Sequence, residues 1–229
     1  MRSIGLVALL CLVLSVCKTT NLSQPTETPP AGNTQTPEIE QVEPIESPTP
    51  KSPDVLQIDT YCDALDSMTE TENNPHRIFA DTSQTDEPKW REFGSEKKLE
   101  EFRKSIETYE IAYNWLKNGR VVITSITIFS GSGDWVKYVS SCYRENGSLA
   151  RVNVRYRTFY GHYLLLNDKY FEVAGKIIAE SHEYRAIPSE EIIDSPTEIA
   201  DNPMMDAVDH YTTTGKLPYA KLLKSNSFY

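Results

Sequence analysis

Arg144, Arg151, Arg155 and Arg157 crowd into fourteen residues of a chain that is acidic overall, with 33 Asp and Glu against 23 Lys and Arg. Side chains alternate along a strand, so Arg151, Arg155 and Arg157 share one side of it. Asn146-Gly147 just upstream is a hairpin signal, since both residues tolerate the positive φ of a type I′ turn. With those two as the turn, Arg144 faces Leu149, Cys142 faces Arg151, Tyr138 faces Arg155 and Val136 faces Arg157. The opposite side collects Val139, Tyr143, Val152, Val154 and Tyr156 and reads as core. Guanidinium forks bind carboxylate and phosphate in bidentate fashion. The four arginines with Tyr138 are therefore a candidate face for an anionic polymer, a phosphorylated headgroup or an acidic partner. The competing reading is that Glu side chains from neighbouring strands pair with them on a solvated surface.

Other chemistry is sparse. Two of the four cysteines lie within the first 17 residues, which leaves Cys62 and Cys142, 80 positions apart. They form either a disulfide, worth about 4 to 5 kcal/mol by loop entropy in an oxidising compartment, or two separate buried thiols. His76, His162, His182 and His210 stand in no metal-ligand spacing, so no metal and no cofactor are expected. Gly131-Ser132-Gly133-Asp134 lacks the frame of a nucleophile elbow and joins strand to strand, which also excludes a phosphate loop. Glu172, Glu180 and Glu183 fall on expected strands, but with 33 acids in the chain some pairing follows by chance. No catalytic residue is assigned.

Val55, Ile58, Cys62 and Leu65 recur at spacings of three and four, predicting a helix over 54–68 with Asp54 as N-cap. Residues 69–89 read as an irregular connection. Leu99, Phe102, Ile106, Tyr109, Tyr113 and Leu116 continue the helical spacing, so one helix is expected from a Ser95 cap to an Asn118-Gly119 stop. The period then changes to two. Strands are expected at 120–129, 135–144, 149–158, 162–166, 169–173 and 176–185, with a loop-rich tail from Pro188 holding a helical turn near Thr212. The expected fold class is α+β: amphipathic helices on an antiparallel meander of five or six strands, in a single domain over 55–229.

The N-terminus speaks to location. Ile4–Val16 is an apolar run of signal-peptide length after Arg2, short of the roughly 20 residues a membrane span needs. Leu14, Ser15, Val16 and Cys17 resemble the lipobox of bacterial lipoproteins, although Gly or Ala usually stands where Val16 does. The resemblance implies acylation of Cys17; ordinary signal-peptidase cleavage, with Ser15 and Cys17 or the Thr19 and Thr20 region near the cut, is the alternative. Residues 18–54 hold eight of the fourteen prolines and six acids, a composition that stays disordered and serves as a tether. The chain as a whole resembles uncharacterised secreted bacterial lipoproteins, most closely over Trp135 to Phe159, with no activity carried over.

Of the charges beyond residue 54, 27 are acidic and 20 basic, a net −7, which argues against nucleic acid as partner. The expectation is an exported, lipid-anchored protein of the cell envelope, a binding or structural module meeting the membrane through its anchor and an acidic envelope component through its arginines. The alternative is a periplasmic or surface hydrolase whose groups meet only on folding. Asn21 and Asn146 each begin an N-glycosylation tripeptide, which leaves a secreted glycoprotein as a third reading.

Overall fold

Helix α1, Pro53–Glu72, starts where Ser52 accepts a hydrogen bond from the Val55 amide at 3.4 Å, with Pro53 at the first helical position. Asp54 thus sits in the first turn, and Ser52, not Asp54, is the cap. The computed structural model describes residues 51–72, 75–85, 87–159, 161–196 and 210–224. Of the two units into which the chain divides, Met1–Ser47 and Pro48–Tyr229, the second holds all of these. Cys17, the leader and residues 18–50 of the tether lie outside the described residues.

Nine strands form one antiparallel sheet: β1 Arg77–Asp81, β2 Trp90–Phe93, β3 Glu110–Lys117, β4 Arg120–Phe129, β5 Trp135–Tyr143, β6 Leu149–Thr158, β7 Tyr163–Phe171, β8 Ile177–Ala186 and β9 Ile192–Ile193. Their order is β2-β1-β3-β4-β5-β6-β7-β8-β9. Besides α1 the described helices are α2, Glu96–Arg103, a 3-10 turn at Thr214–Lys216 and α3, Ala220–Lys224. The expected α+β arrangement on five or six strands is therefore corrected to a single nine-stranded sheet with helices as additions.

The largest departure is the helix expected over 95–118. Ser95 does cap α2, accepting from the Lys98 amide at 3.3 Å, but the helix ends at Arg103 and the chain re-enters the sheet as β3. Ile111 and Ala112 are both buried, on opposite faces, at 2 % and 0 % exposure. Both faces of β3 are covered, so its apolar residues run consecutively, and in series with α2 they mimic a 3.6-residue period. The β-rich composition of Ile106 to Trp115 was the opposing signal. Two more strands arise in stretches read as loops: β1 begins at Arg77, in the expected irregular connection, and β9 follows Pro188. Asn167-Asp168, expected to separate two strands, lies inside β7, where Asn153 donates to Asp168 at 2.7 Å and Asn167 donates to Glu180 at 3.1 Å. Cross-strand partners keep these turn-formers in the ladder.

Part of each face of the sheet is buried. On one, Val55, Ile58, Cys62 and Leu65 of α1 pack on Val122, Ile123, Cys142, Ala150 and Tyr170, while Leu99 of α2 packs on Ile78, Ala80, Phe93 and Ile111. On the other, Leu217, Tyr219 and Ala220 close over Phe79, Ala112, Ile126, Val139 and Val154. Tyr219 stacks on Phe79 at 4.5 Å between centroids and donates its hydroxyl to the buried Asn114 side chain at 3.1 Å. Arg77 ties the same tail down, donating to the Leu222 and Leu223 carbonyls at 2.8 Å each while its fork holds Glu92.

Cys62 of α1 and Cys142 of β5 form a disulfide with Cα atoms 5.9 Å apart. It fastens the helix to the sheet across 80 positions. Replacing both cysteines by Ser is expected to lower the unfolding free energy by about 2 to 5 kcal/mol; urea unfolding of the oxidised parent and the double variant checks this, with reduction of the parent giving a loss of the same order.

Candidate partner face

Residues of β4 to β8 that point toward the α1 side form rows across the strands. Ile123, Cys142, Arg151, Tyr170 and Ala179 make the row beneath α1. Farther along the strands comes Thr127, Tyr138, Arg155, Leu166 and Glu183, then Phe129, Val136, Arg157, Leu164 and Arg185. The pairings Cys142 with Arg151, Tyr138 with Arg155 and Val136 with Arg157 match those read from the sequence. The turn between the strands does not. Gly147 donates to the Arg144 carbonyl at 2.8 Å and has φ +83, so Glu145, Asn146 and Gly147 form a three-residue turn with glycine in the left-handed position. Tyr143 rather than Arg144 then pairs with Leu149, and a bulge before Arg151 restores the expected register.

This geometry divides the four arginines. Arg151 is 6 % exposed and held by carboxylates of α1: Asp59 at 2.9 Å, Asp63 at 2.7 Å and Asp66 at 2.7 Å. It seats the helix and is closed to a partner. Arg144 lies by the hairpin end and donates to the carbonyls of Leu149 and Phe171, so it too has a structural task. Arg155 and Arg157 alone stay exposed in the sheet, beyond the reach of α1.

The directly paired neighbours of those two are apolar, and the Asp168 carboxylate in the next row accepts from Asn153 at 2.7 Å. Arg155 stands between Tyr138 and Leu166, and Arg157 between Val136 and Leu164. The Glu183 carboxylate lies two strands from Arg155 and is taken by Arg185 on its own strand. Cross-pairing with Glu, the competing expectation, is thus not what engages Arg155 and Arg157 among the described residues. Arg157 instead lies over the Phe159 ring at 5.5 Å, and Phe159 and Tyr138 are 52 % and 44 % exposed. Two guanidinium groups flanked by two exposed rings offer planar forks for an anion and flat surfaces for stacking.

The acids that claim Arg151 were missed. Asp59, Asp63 and Asp66 fall at i, i+4 and i+7, one stripe beside the buried stripe of Ile58, Cys62 and Leu65, a pattern visible in the sequence that points a row of carboxylates toward a basic strand. Asp59 also accepts from Lys51 at 2.6 Å, and Lys51 donates to the Tyr170 hydroxyl at 3.2 Å. Burial opposes ionisation of Asp59, yet the hydrogen bonds from Lys51 and Arg151 outweigh it and hold the carboxyl below the ordinary 3.8.

Comparison with family models, curated proteins and solved structures finds no match. No family is shown by them.

The depressed Asp59 carboxyl contributes stability with a definite sign, opposite to that of Asp66, whose carboxyl burial holds above its ordinary value. The stabilisation from Asp59 is complete above the ordinary aspartate value and is lost as pH falls through the lower folded-state value. Asp59→Asn should flatten that limb of the stability curve in acid titration followed by circular dichroism. Arg151→Met should cost about 2 kcal/mol at neutral pH, between the values for exposed and buried pairs, as read by urea unfolding.

Proposed function

We propose that the protein is an exported, lipid-anchored component of the cell envelope whose domain binds an acidic envelope partner through Tyr138, Arg155 and Arg157. The observation carrying the binding half is the contrast along one strand: Arg151 is consumed by α1, while Arg155 and Arg157 are left exposed between apolar neighbours and aromatic rings. A fold with 27 acids beyond residue 54 has ample means to neutralise two arginines. Leaving them open favours an external anion.

The location half is supported by the leader, by the lipobox-like Leu14 to Cys17, by the proline-rich tether and by the Cys62–Cys142 disulfide, a linkage that persists in oxidising compartments. An anchored domain on a spacer meets envelope polymers at high local concentration, so modest affinity per site suffices. The tether supplies reach and the sheet supplies recognition. Polymers carrying carboxylate or phosphate, or acidic protein surfaces, share the chemistry that the two forks read.

Two measurements test the reading. Binding of the full-length protein to immobilised polygalacturonate and polyphosphate should weaken at least about tenfold in Arg155→Ser combined with Arg157→Ser, since each lost charge-assisted hydrogen bond is worth about 1.5 to 3 kcal/mol. Unchanged binding refutes the face. Mass spectrometry of the mature N-terminus should show a diacylated Cys17; an unmodified terminus beyond Lys18 refutes the anchor and leaves the face intact.

A further inference from the structure

Three bulges line up at one end of the sheet. Strand register slips between Trp115 and Leu116, between Cys142 and Tyr143, and between Tyr170 and Phe171, which leaves Val122, Ala150 and Ile178 as the extra residues on β4, β6 and β8. Each bulge sets two consecutive residues on the α1 side of its strand. Helix α1 covers the first two, Val122 at 1 % and Ala150 at 0 % exposure. It does not reach the third. Ile178 remains 40 % exposed, and Val173 in the β7–β8 turn 60 %.

Between this bare end of β8 and the start of α1 runs a groove of about 500 Å3, a volume typical of small-molecule sites. Tyr61 forms an aromatic wall, fixed by donation of its hydroxyl to the Tyr143 carbonyl at 3.0 Å. Asp54 of α1, Glu145 of the β5–β6 turn and Glu172 at the end of β7 are the acidic residues of the lining. Burial, and after it the charge of Glu145, raise the Tyr61 hydroxyl above its ordinary value against the opposing charge of Arg144. Arg144 also lines the groove, but its guanidinium is committed to the Leu149 and Phe171 carbonyls. Three acidic residues and one cation, Arg144, therefore line the groove, with Arg120 donating to the Glu145 carbonyl at 3.0 Å, beside aliphatic walls that nothing described covers.

We propose that this groove binds a small organic cation with an apolar body, such as a primary amine on a short alkyl chain. The ammonium sits among Asp54, Glu145 and Glu172, and the chain lies against Ile178 and Val173. The Tyr61 ring adds a face for the cation. The site is separate from the arginine face and takes the opposite charge.

Titration of the full-length protein with hexylamine, followed by amide chemical shifts, tests the assignment, with hexanoate and hexanol as probes of matched chain length. Hexylamine should produce saturable shifts at Val173, Ile178 and Tyr61, and hexanoate should bind at least about tenfold more weakly, because like charge at a lined site is repulsive. Glu145→Gln with Glu172→Gln should weaken hexylamine about tenfold and leave hexanol unchanged. The Arg155 and Arg157 double variant should bind hexylamine as the parent does, so failure of the arginine face and failure of the groove read out separately. Hexanoate binding as tightly as hexylamine overturns the proposal. So does the absence of saturable shifts in the folded full chain.

Discussion

A guanidinium beneath a helix is tolerated only if the helix brings charge to meet it. The bond between Arg151 and the α1 carboxylates is the constraint on which the rest of the α1 side depends. Arg151 lies in the same row as Cys142, and Cys142 is bonded to Cys62 one turn from Asp59 and Asp66. The covalent link and the ionic one fix the same helix at adjacent points of one row. The disulfide sets the distance, and the three carboxylates at i, i+4 and i+7 set the rotation about the helix axis.

From that seating follows what stays open. A helix crossing the sheet end covers the row of Ile123 to Tyr170 and stops short of the rows of Tyr138 and Val136. One arginine of β6 is consumed by structure and two remain. At the opposite side of α1 the aligned bulges place Val122, Ala150 and Ile178 in one line, longer than the helix covers. A basic, aromatic face and an acidic, aliphatic groove thus lie on either side of the same helix, both consequences of where it sits.

The hairpin shows how a correct register can come from the wrong turn. A two-residue Asn146-Gly147 turn and the observed three-residue turn differ by one position, which would send every side chain of β6 to the opposite face. The extra residue at Ala150 cancels the difference before Arg151. Leu149-Ala150, like Val121-Val122 and Ile177-Ile178, is a consecutive apolar pair at the head of an alternating strand, and such pairs were the available sign of bulges. The helix expected through Leu116 failed for a related reason: β3 is covered on both sides, by α2 and by the tail carrying Tyr219, so Ile111 and Ala112 lose the alternation that marks a one-sided strand.

Local pattern was enough for whatever depends on neighbours along the chain. The stripe of α1, the Ser95 cap and the alternation of β4 to β6 are properties of short windows, and β5–β6 pairing follows from one hairpin. Tertiary structure decided the matters set by what covers each side. It made β3 a central strand, joined Cys62 to Cys142, and assigned Arg151 to α1 while leaving Arg155 and Arg157 to solvent. Those three arginines are chemically identical and alternate identically in sequence. Only the position of a helix that begins about a hundred residues earlier tells them apart, because desolvation and ion pairing act through space.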